Sequence, residues 1–79
     1  MPTVLRGSGF RVVIYANDHT PAHVHVFGSG EAKVDLVGTD GRPQLIWVFG
    51  MTVGEVRKAM QLVDDHQALL LEAWARIHG

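Results

Sequence analysis

Two alternating segments separated by a short glycine-containing loop constrain this chain more than any other feature. Valines alternate with other residues along His23–Phe27, and apolar residues alternate with charged ones along Glu31–Leu36. Both patterns have the two-residue period of a β-strand. Gly28–Gly30 lies between them and has the composition of a tight turn. A loop of three residues matches the valines of one segment with apolar residues of the other, whereas a loop of two or four would set valines against charges. The sequence therefore predicts an antiparallel hairpin in one register.

In this register the two histidines of the first strand share one face of the hairpin. His23 is predicted to lie opposite Asp35, and His25 opposite Lys33, at cross-strand distance. The intervening valines occupy the other face, toward the core. We therefore expect the histidines on the less buried face, among charged residues. The segment before them, Asn17–Pro21, is rich in turn-forming residues and is predicted to be a surface loop.

The rest of the first 50 residues is also β-prone. Thr3–Leu5 and Phe10–Tyr15 are short strand-like segments joined by a glycine-containing turn. Leu45–Phe49 is a continuous apolar run, which is typical either of a strand covered on both faces or of an edge used for association. The predicted fold class is α+β, with a small antiparallel sheet of four to five strands. The chain is predicted to be a single domain over residues 1–79, β-rich over 1–50 and helical over 51–79.

The C-terminal part predicts one long helix or two shorter ones packed on one face of the sheet. Thr52 and Glu55 have the spacing of a capping box. An apolar stripe at helical spacing follows, formed by Val53, Val56, Met60, Val63, Leu70, Trp74 and Ile77. A continuous helix of ~25 residues would be ~37 Å long. That exceeds what a small sheet covers, so Leu70, Trp74 and Ile77 would then form an interface with a partner or a second copy. If the helix is divided, Asp64 or Asp65 would cap the second part.

Composition excludes several classes of function. The chain has no cysteine, which removes disulfides, thiolate catalysis and cysteine-ligated zinc sites. Its formal net charge of −1 gives no whole-molecule attraction to nucleic acid. No apolar run approaches the ~18 residues of a membrane span. The N-terminus lacks the basic and apolar regions of a signal peptide, so we expect a cytoplasmic protein without membrane association.

The clustered histidines are the strongest candidates for chemistry. Two imidazoles on one face can act as general base and general acid, and neighbouring cations can stabilise a phosphorane-like transition state. This interpretation requires no cofactor and describes a metal-independent ribonuclease. The candidate catalytic residues are His23 and His25 with His19 as an auxiliary, the candidate phosphate-binding residues are Arg6, Arg11 and Lys33, and the supporting residues are Asp35 and Tyr15.

Two other interpretations of the same residues remain open. His23 and His25, with His19 or Asp35 as the third ligand, could bind a divalent metal such as Zn²⁺, since imidazole is a common zinc ligand. Alternatively, the histidines could be structural, in a protein-binding module without enzymatic activity. Such a module would bind its partner through the sheet and helix surfaces.

Several motifs together resemble a known family of small bacterial proteins. They are Met1–Arg6, Gly9–Arg11, Tyr15, the histidine run His19–Val26 and the C-terminal Leu71–Trp74. On these residues the chain resembles the family named domain of unknown function 4160, and the resemblance covers nearly the whole chain.

The resemblance implies a role, because members of this family are often encoded beside a second small protein in what looks like a toxin–antitoxin operon. It implies that this chain is the toxin of a type II toxin–antitoxin pair, inhibits translation by acting on RNA, and binds a cognate small antitoxin. The family motif makes Arg6, Arg11, His19, His23 and His25 the candidates for activity.

Overall fold

The structure, a computed structural model, describes residues 3–79. Met1 and Pro2, the first residues of the N-terminal motif and of the expected domain, lie outside the described residues. Five strands precede two helices along the chain. Their bounds are β1 Thr3–Gly7, β2 Phe10–Val13, β3 His23–Phe27, β4 Glu31–Asp35, β5 Gln44–Phe49, α1 Val53–Asp65 and α2 Gln67–His78.

The strands form one antiparallel sheet in the order β1-β2-β3-β4-β5. This confirms the predicted α+β fold class. The pairing of β3 with β4 also follows the predicted register: His23 lies opposite Asp35, and His25 opposite Lys33. The loop between the two strands is Gly28–Gly30, as the alternation of valines requires.

One face of the sheet and both helices enclose the core. Val12 of β2, Val24 and Val26 of β3, and Val34 of β4 point to this face, because the opposite register would expose them. The side chains with no exposed surface in this cluster are Val12, Ile14, Val24, Val26, Val34, Leu36, Val63 and Leu70. The predicted capping box begins α1: the Thr52 hydroxyl accepts from the Glu55 backbone N–H, and the Glu55 carboxylate accepts from the Thr52 N–H.

The C-terminal segment is two helices that meet at His66. The backbone of His66 leaves helical geometry (φ −120°, ψ 22°), and its N–H bonds to the Val63 carbonyl instead of continuing the ladder. The longest extent of the molecule is 34 Å, which is shorter than the ~37 Å of an unbroken helix. The prediction that Asp64 or Asp65 caps the second helix is wrong, because His66 occupies the N-cap position and makes no side-chain cap bond.

The break at His66 changes the expected role of Leu70, Trp74 and Ile77. Leu70 has no exposed surface, Trp74 is 8% exposed, and both belong to the core cluster. Ile77 is half-buried and packs against the same cluster. These three side chains were expected to form an interface with a partner if the helix were continuous. In the observed fold Leu70 and Trp74 are covered by this chain itself.

The apolar run Leu45–Phe49, predicted to be either a covered strand or an edge used for association, lies in the edge strand β5. Within residues 3–79, β5 pairs with β4 alone. It carries four exposed large apolar residues, of which Phe49 is the most exposed at 79%. The four are Ile46, Trp47, Val48 and Phe49. Neither helix in the described part of the chain is long and apolar enough to span a membrane.

Candidate functional site

An open cavity of about 400 Å³ lies at the histidine end of the sheet. The loop that precedes β3 forms one wall, and side chains of β3, β4 and β5 form the rest. Its lining is almost entirely polar or aromatic. The lining residues are Asn17, Asp18, His19, Thr20, Pro21, His23, His25, Lys33, Asp35 and Trp47.

The histidine face is more covered than the alternation predicted. His23 is only 5% exposed, and the side chain of His25 is 13% exposed. The sheet register is as expected, so the difference comes from tertiary contacts. The Tyr15 ring lies 5.0 Å from the His25 ring, and the Trp74 ring lies 5.2 Å from the His23 ring. The loop carrying Asp18 also folds back onto both imidazoles.

Hydrogen bonds fix which nitrogen of each imidazole carries the proton. His23 Nδ1 lies 2.9 Å from the carbonyl oxygen of Pro21, which can only accept, so Nδ1 donates. His25 Nδ1 lies 3.0 Å from Oε2 of Glu31, and an ionised carboxylate also only accepts. In the neutral state each histidine is therefore the Nδ1–H tautomer, and its Nε2 presents a lone pair.

The Nε2 atoms of both histidines lie close to one carboxylate oxygen. Oδ2 of Asp18 lies 3.2 Å from Nε2 of His23 and 3.6 Å from Nε2 of His25. This oxygen is shielded from solvent and accepts no hydrogen bond from the described residues. Two neutral imidazoles and an ionised carboxylate would face one another as three acceptors. Three acceptors at one point suit a cation bound among the three atoms.

Most of the other predicted site residues surround this cluster. Lys33, Asp35 and His19 line the cavity, and Tyr15 contacts the His25 ring edge-on. Asp35 lies opposite His23 in register as predicted. The structure therefore brings together three histidines, one lysine and the expected supporting residues at one end of the sheet.

Arg6 and Arg11 do not line the histidine cavity. They face each other across β1 and β2 and line a separate depression with Phe10, Phe27 and neighbouring glycines. The guanidinium carbon of Arg11 lies 5.0 Å from the centre of the Phe27 ring, a cation–π distance. Arg11 lies on the strand next to that of His25. It is opposite Phe27, which is two residues beyond His25 along β3.

Three residues of the site were not predicted from the sequence. Asp18 lies in the loop, where no periodicity indicates which way a side chain points. Glu31 could have been found from register, because it is diagonal to His25 across the predicted hairpin. Trp47 pairs with Lys33 on the next strand, where an irregular register next to Lys33 hides the pairing from a sequence pattern. The Trp47 ring lies 6.2 Å from the His25 ring and is partly exposed at the cavity.

Comparison with known proteins gives one match. The family model described as "Domain of unknown function (DUF4160)" matches residues 9–75 of the chain. The match includes the histidine run, the loop carrying Asp18 and most of both helices. No curated protein and no solved structure matches the chain.

Proposed function

This chain belongs to the DUF4160 family, and we propose that it is the toxin of a bacterial type II toxin–antitoxin pair that acts on RNA in the cytoplasm through its histidine cavity. The observation that carries the proposal is the proximity of two imidazole Nε2 atoms to one carboxylate, among residues that line an open cavity. Two neighbouring imidazoles are suited to moving two protons in one reaction.

The chemistry is cleavage of an RNA phosphodiester by its own 2′-hydroxyl. One neutral imidazole takes the proton of the 2′-hydroxyl as its oxygen attacks phosphorus, and the bond from phosphorus to the 5′-oxygen breaks. The other imidazole, protonated at Nε2, gives its proton to the departing 5′-oxygen. The products are a 2′,3′-cyclic phosphate and a 5′-hydroxyl. Asp18 stabilises whichever imidazolium is present, because its carboxylate contacts both Nε2 atoms.

Two further side chains of the cavity suit an RNA strand. The Lys33 ammonium can bind a phosphate oxygen and stabilise the charge that develops on it. Trp47 is 41% exposed, so one face of the indole is available for stacking on a base. Arg6 and Arg11, in the depression two residues along the sheet, could bind a phosphate further along the same strand.

The partner in this proposal is a small antitoxin that covers the edge strand β5. The exposed apolar residues of β5 and its unpaired backbone groups suit the addition of a strand or an apolar segment from another protein. Trp47 belongs both to this strand and to the cavity lining. A protein bound along β5 would therefore also cover the cavity, which gives a physical route from antitoxin binding to inhibition.

The test is induced expression in bacteria while growth and protein-synthesis rate are followed. Wild type should arrest growth, and His23→Ala/His25→Ala should not. Lys33→Ala should weaken the arrest, whereas Lys58→Ala, a matched change on the exposed face of α1, should not. Because His23 is buried, soluble yield and far-UV circular dichroism must be measured for each variant.

The outcomes separate the enzymatic proposal from a binding module. Arrest by a folded double-histidine variant equal to that by wild type would overturn histidine catalysis and favour a non-enzymatic module acting through β5. Purified wild type that cleaves RNA to 2′,3′-cyclic phosphate ends would support catalysis directly.

A further inference from the structure

We propose that Asp18, His23 and His25 form a binding site for a divalent transition-metal ion, Zn²⁺ above all, and that the bound ion holds the cavity inactive. The metal site is argued from geometry alone. The inhibitory effect rests on the proposed function, because it follows from the use of the same two nitrogens for proton transfer.

The spacing of the three donor atoms fits a tetrahedral ion. With zinc–ligand bonds of ~2.0–2.1 Å, two ligand atoms of a tetrahedron are ~3.3–3.4 Å apart. Oδ2 of Asp18 lies 3.2 Å and 3.6 Å from the two Nε2 atoms. All three donor atoms lie within 4.8 Å of one another, and they form the one such group of histidine and carboxylate side chains in residues 3–79. Only small side-chain shifts are needed for all three to reach one ion.

The surroundings of the two histidines match those of metal ligands. A ligating histidine almost always donates its second ring N–H to a carbonyl or carboxylate, which holds the lone pair of the other nitrogen toward the metal. Here the Pro21 carbonyl accepts from His23, and the Glu31 carboxylate accepts from His25. The side chain of His23 is only 6% exposed, and its Nε2 lies 3.2 Å from Oδ2 of Asp18. That oxygen is shielded from solvent and accepts no hydrogen bond from the described residues.

The donor set selects the class of ion. Two imidazole nitrogens and one carboxylate oxygen suit zinc and neighbouring first-row metals, whereas Mg²⁺ and Ca²⁺ prefer sites made of oxygen. Three protein ligands would leave a fourth tetrahedral position, and all three ligand residues line the cavity. A small anion or water can take that position.

Metal binding and histidine acid–base chemistry exclude each other at this site. A bound ion uses both Nε2 lone pairs, so neither imidazole can accept or deliver a proton. The carboxylate that would stabilise an imidazolium is also engaged. The cavity therefore has two states, a metal-free state able to transfer protons and a metal-bound state that is not.

Zinc binding to the metal-free full-length chain is measured by isothermal titration with ZnCl₂, and CoCl₂ reports the coordination geometry by its visible absorption. We expect one ion per chain. Asp18→Asn and His25→Ala should each weaken Zn²⁺ binding by more than about 100-fold, because even an outer-sphere partner of a ligand contributes 10–100-fold. Glu31→Ala should weaken it by about 10–100-fold.

Two variants in the same cavity serve as matched controls. Asp35→Asn and His19→Ala make the same kinds of chemical change in residues that line the cavity but lie outside the group of three. Both should keep wild-type zinc affinity within about threefold. Circular dichroism of each metal-free variant shows whether it is folded. Absence of zinc binding to wild type, or equal loss in Asp35→Asn and Asp18→Asn, would overturn the site.

The inhibitory effect is tested by RNA cleavage with EDTA and with ZnCl₂. The inhibitory effect is supported if RNA is cleaved in EDTA and added zinc suppresses the cleavage. In Glu31→Ala, zinc concentrations too low to occupy the weakened site should no longer suppress cleavage. Cleavage that requires zinc would overturn the inhibitory effect and the metal-independent chemistry together. Absence of cleavage under both conditions would count against the proposed function, while the titration still decides the metal site.

Discussion

Two adjacent leucines of α2, Leu69 and Leu70, test whether this helix packs into the core of the chain or forms an interface with a partner. Leu70 has no exposed surface, whereas Leu69 is 47% exposed. Leu→Ala makes the same chemical change at both positions and keeps helix propensity high. At Leu70 it removes buried methyl groups and leaves a cavity, which costs about 3–5 kcal/mol. At Leu69 the lost burial is partial, and we expect a cost below about 1 kcal/mol.

These costs are large for a chain of this size. A domain of 79 residues has a total stability of about 4–12 kcal/mol at 0.05–0.15 kcal/mol per residue. Since 1 kcal/mol shifts Tm by about 4–8 °C in small domains, Leu70→Ala should lower Tm by at least about 12 °C, and Leu69→Ala by less than about 8 °C.

The assay is thermal and urea unfolding of both variants followed by far-UV circular dichroism. Because unfolding is expected to be two-state, the midpoints convert to free energies. If the two variants lost equal stability, or if Leu69→Ala lost more, α2 would not pack as described. Leu70 and Trp74 would then not be covered by this chain itself.

Two further predictions concern the junction between the hairpin loop and α1. Hydrogen bonds from Ser29, and then from Thr52, lower the pKa of Glu55 below its ordinary 4.5, so its stabilising effect is present above pH 4.5 and is lost as the pH falls through the lower folded pKa. Glu55→Gln should therefore have a lower Tm than wild type at pH 7, and the two Tm values should approach each other in acid. A Tm difference that does not change with pH would contradict this. A Cβ on Gly30 would overlap the carbonyl oxygen of Phe49, so Gly30→Ala should destabilise strongly in urea unfolding, whereas Gly54→Ala, which has space for a Cβ, should not.

The register of the hairpin was predictable because a β-strand has a period of two. Any shift by one residue would have moved every valine of β3 to the wrong face, so the sequence allowed one solution. The capping box was predictable for a similar reason, since Thr52 and Glu55 must be three residues apart to satisfy each other's backbone N–H. In both cases the signal is local and geometric.

The covering of the histidines and the break at His66 were not predictable in the same way. Asp18 reaches both imidazoles because an irregular loop folds back, and the contacts that direct it are tertiary. The apolar spacing of the helical part continues across residues 64–66, so the pattern alone fits one helix or two. The break at His66 brings Leu70 and Trp74 of α2 into the core cluster.

The positions of the two tryptophans have a practical consequence. Trp74 lies 5.2 Å from the His23 ring and stacks on the His78 ring at 3.8 Å, and Trp47 lies 6.2 Å from the His25 ring. Trp74 is buried and Trp47 is partly exposed, so their emission maxima should differ. The chain thus contains two intrinsic optical reporters. Single Trp→Phe variants would let fluorescence follow the surroundings of Trp47 and of Trp74 separately, without any attached dye.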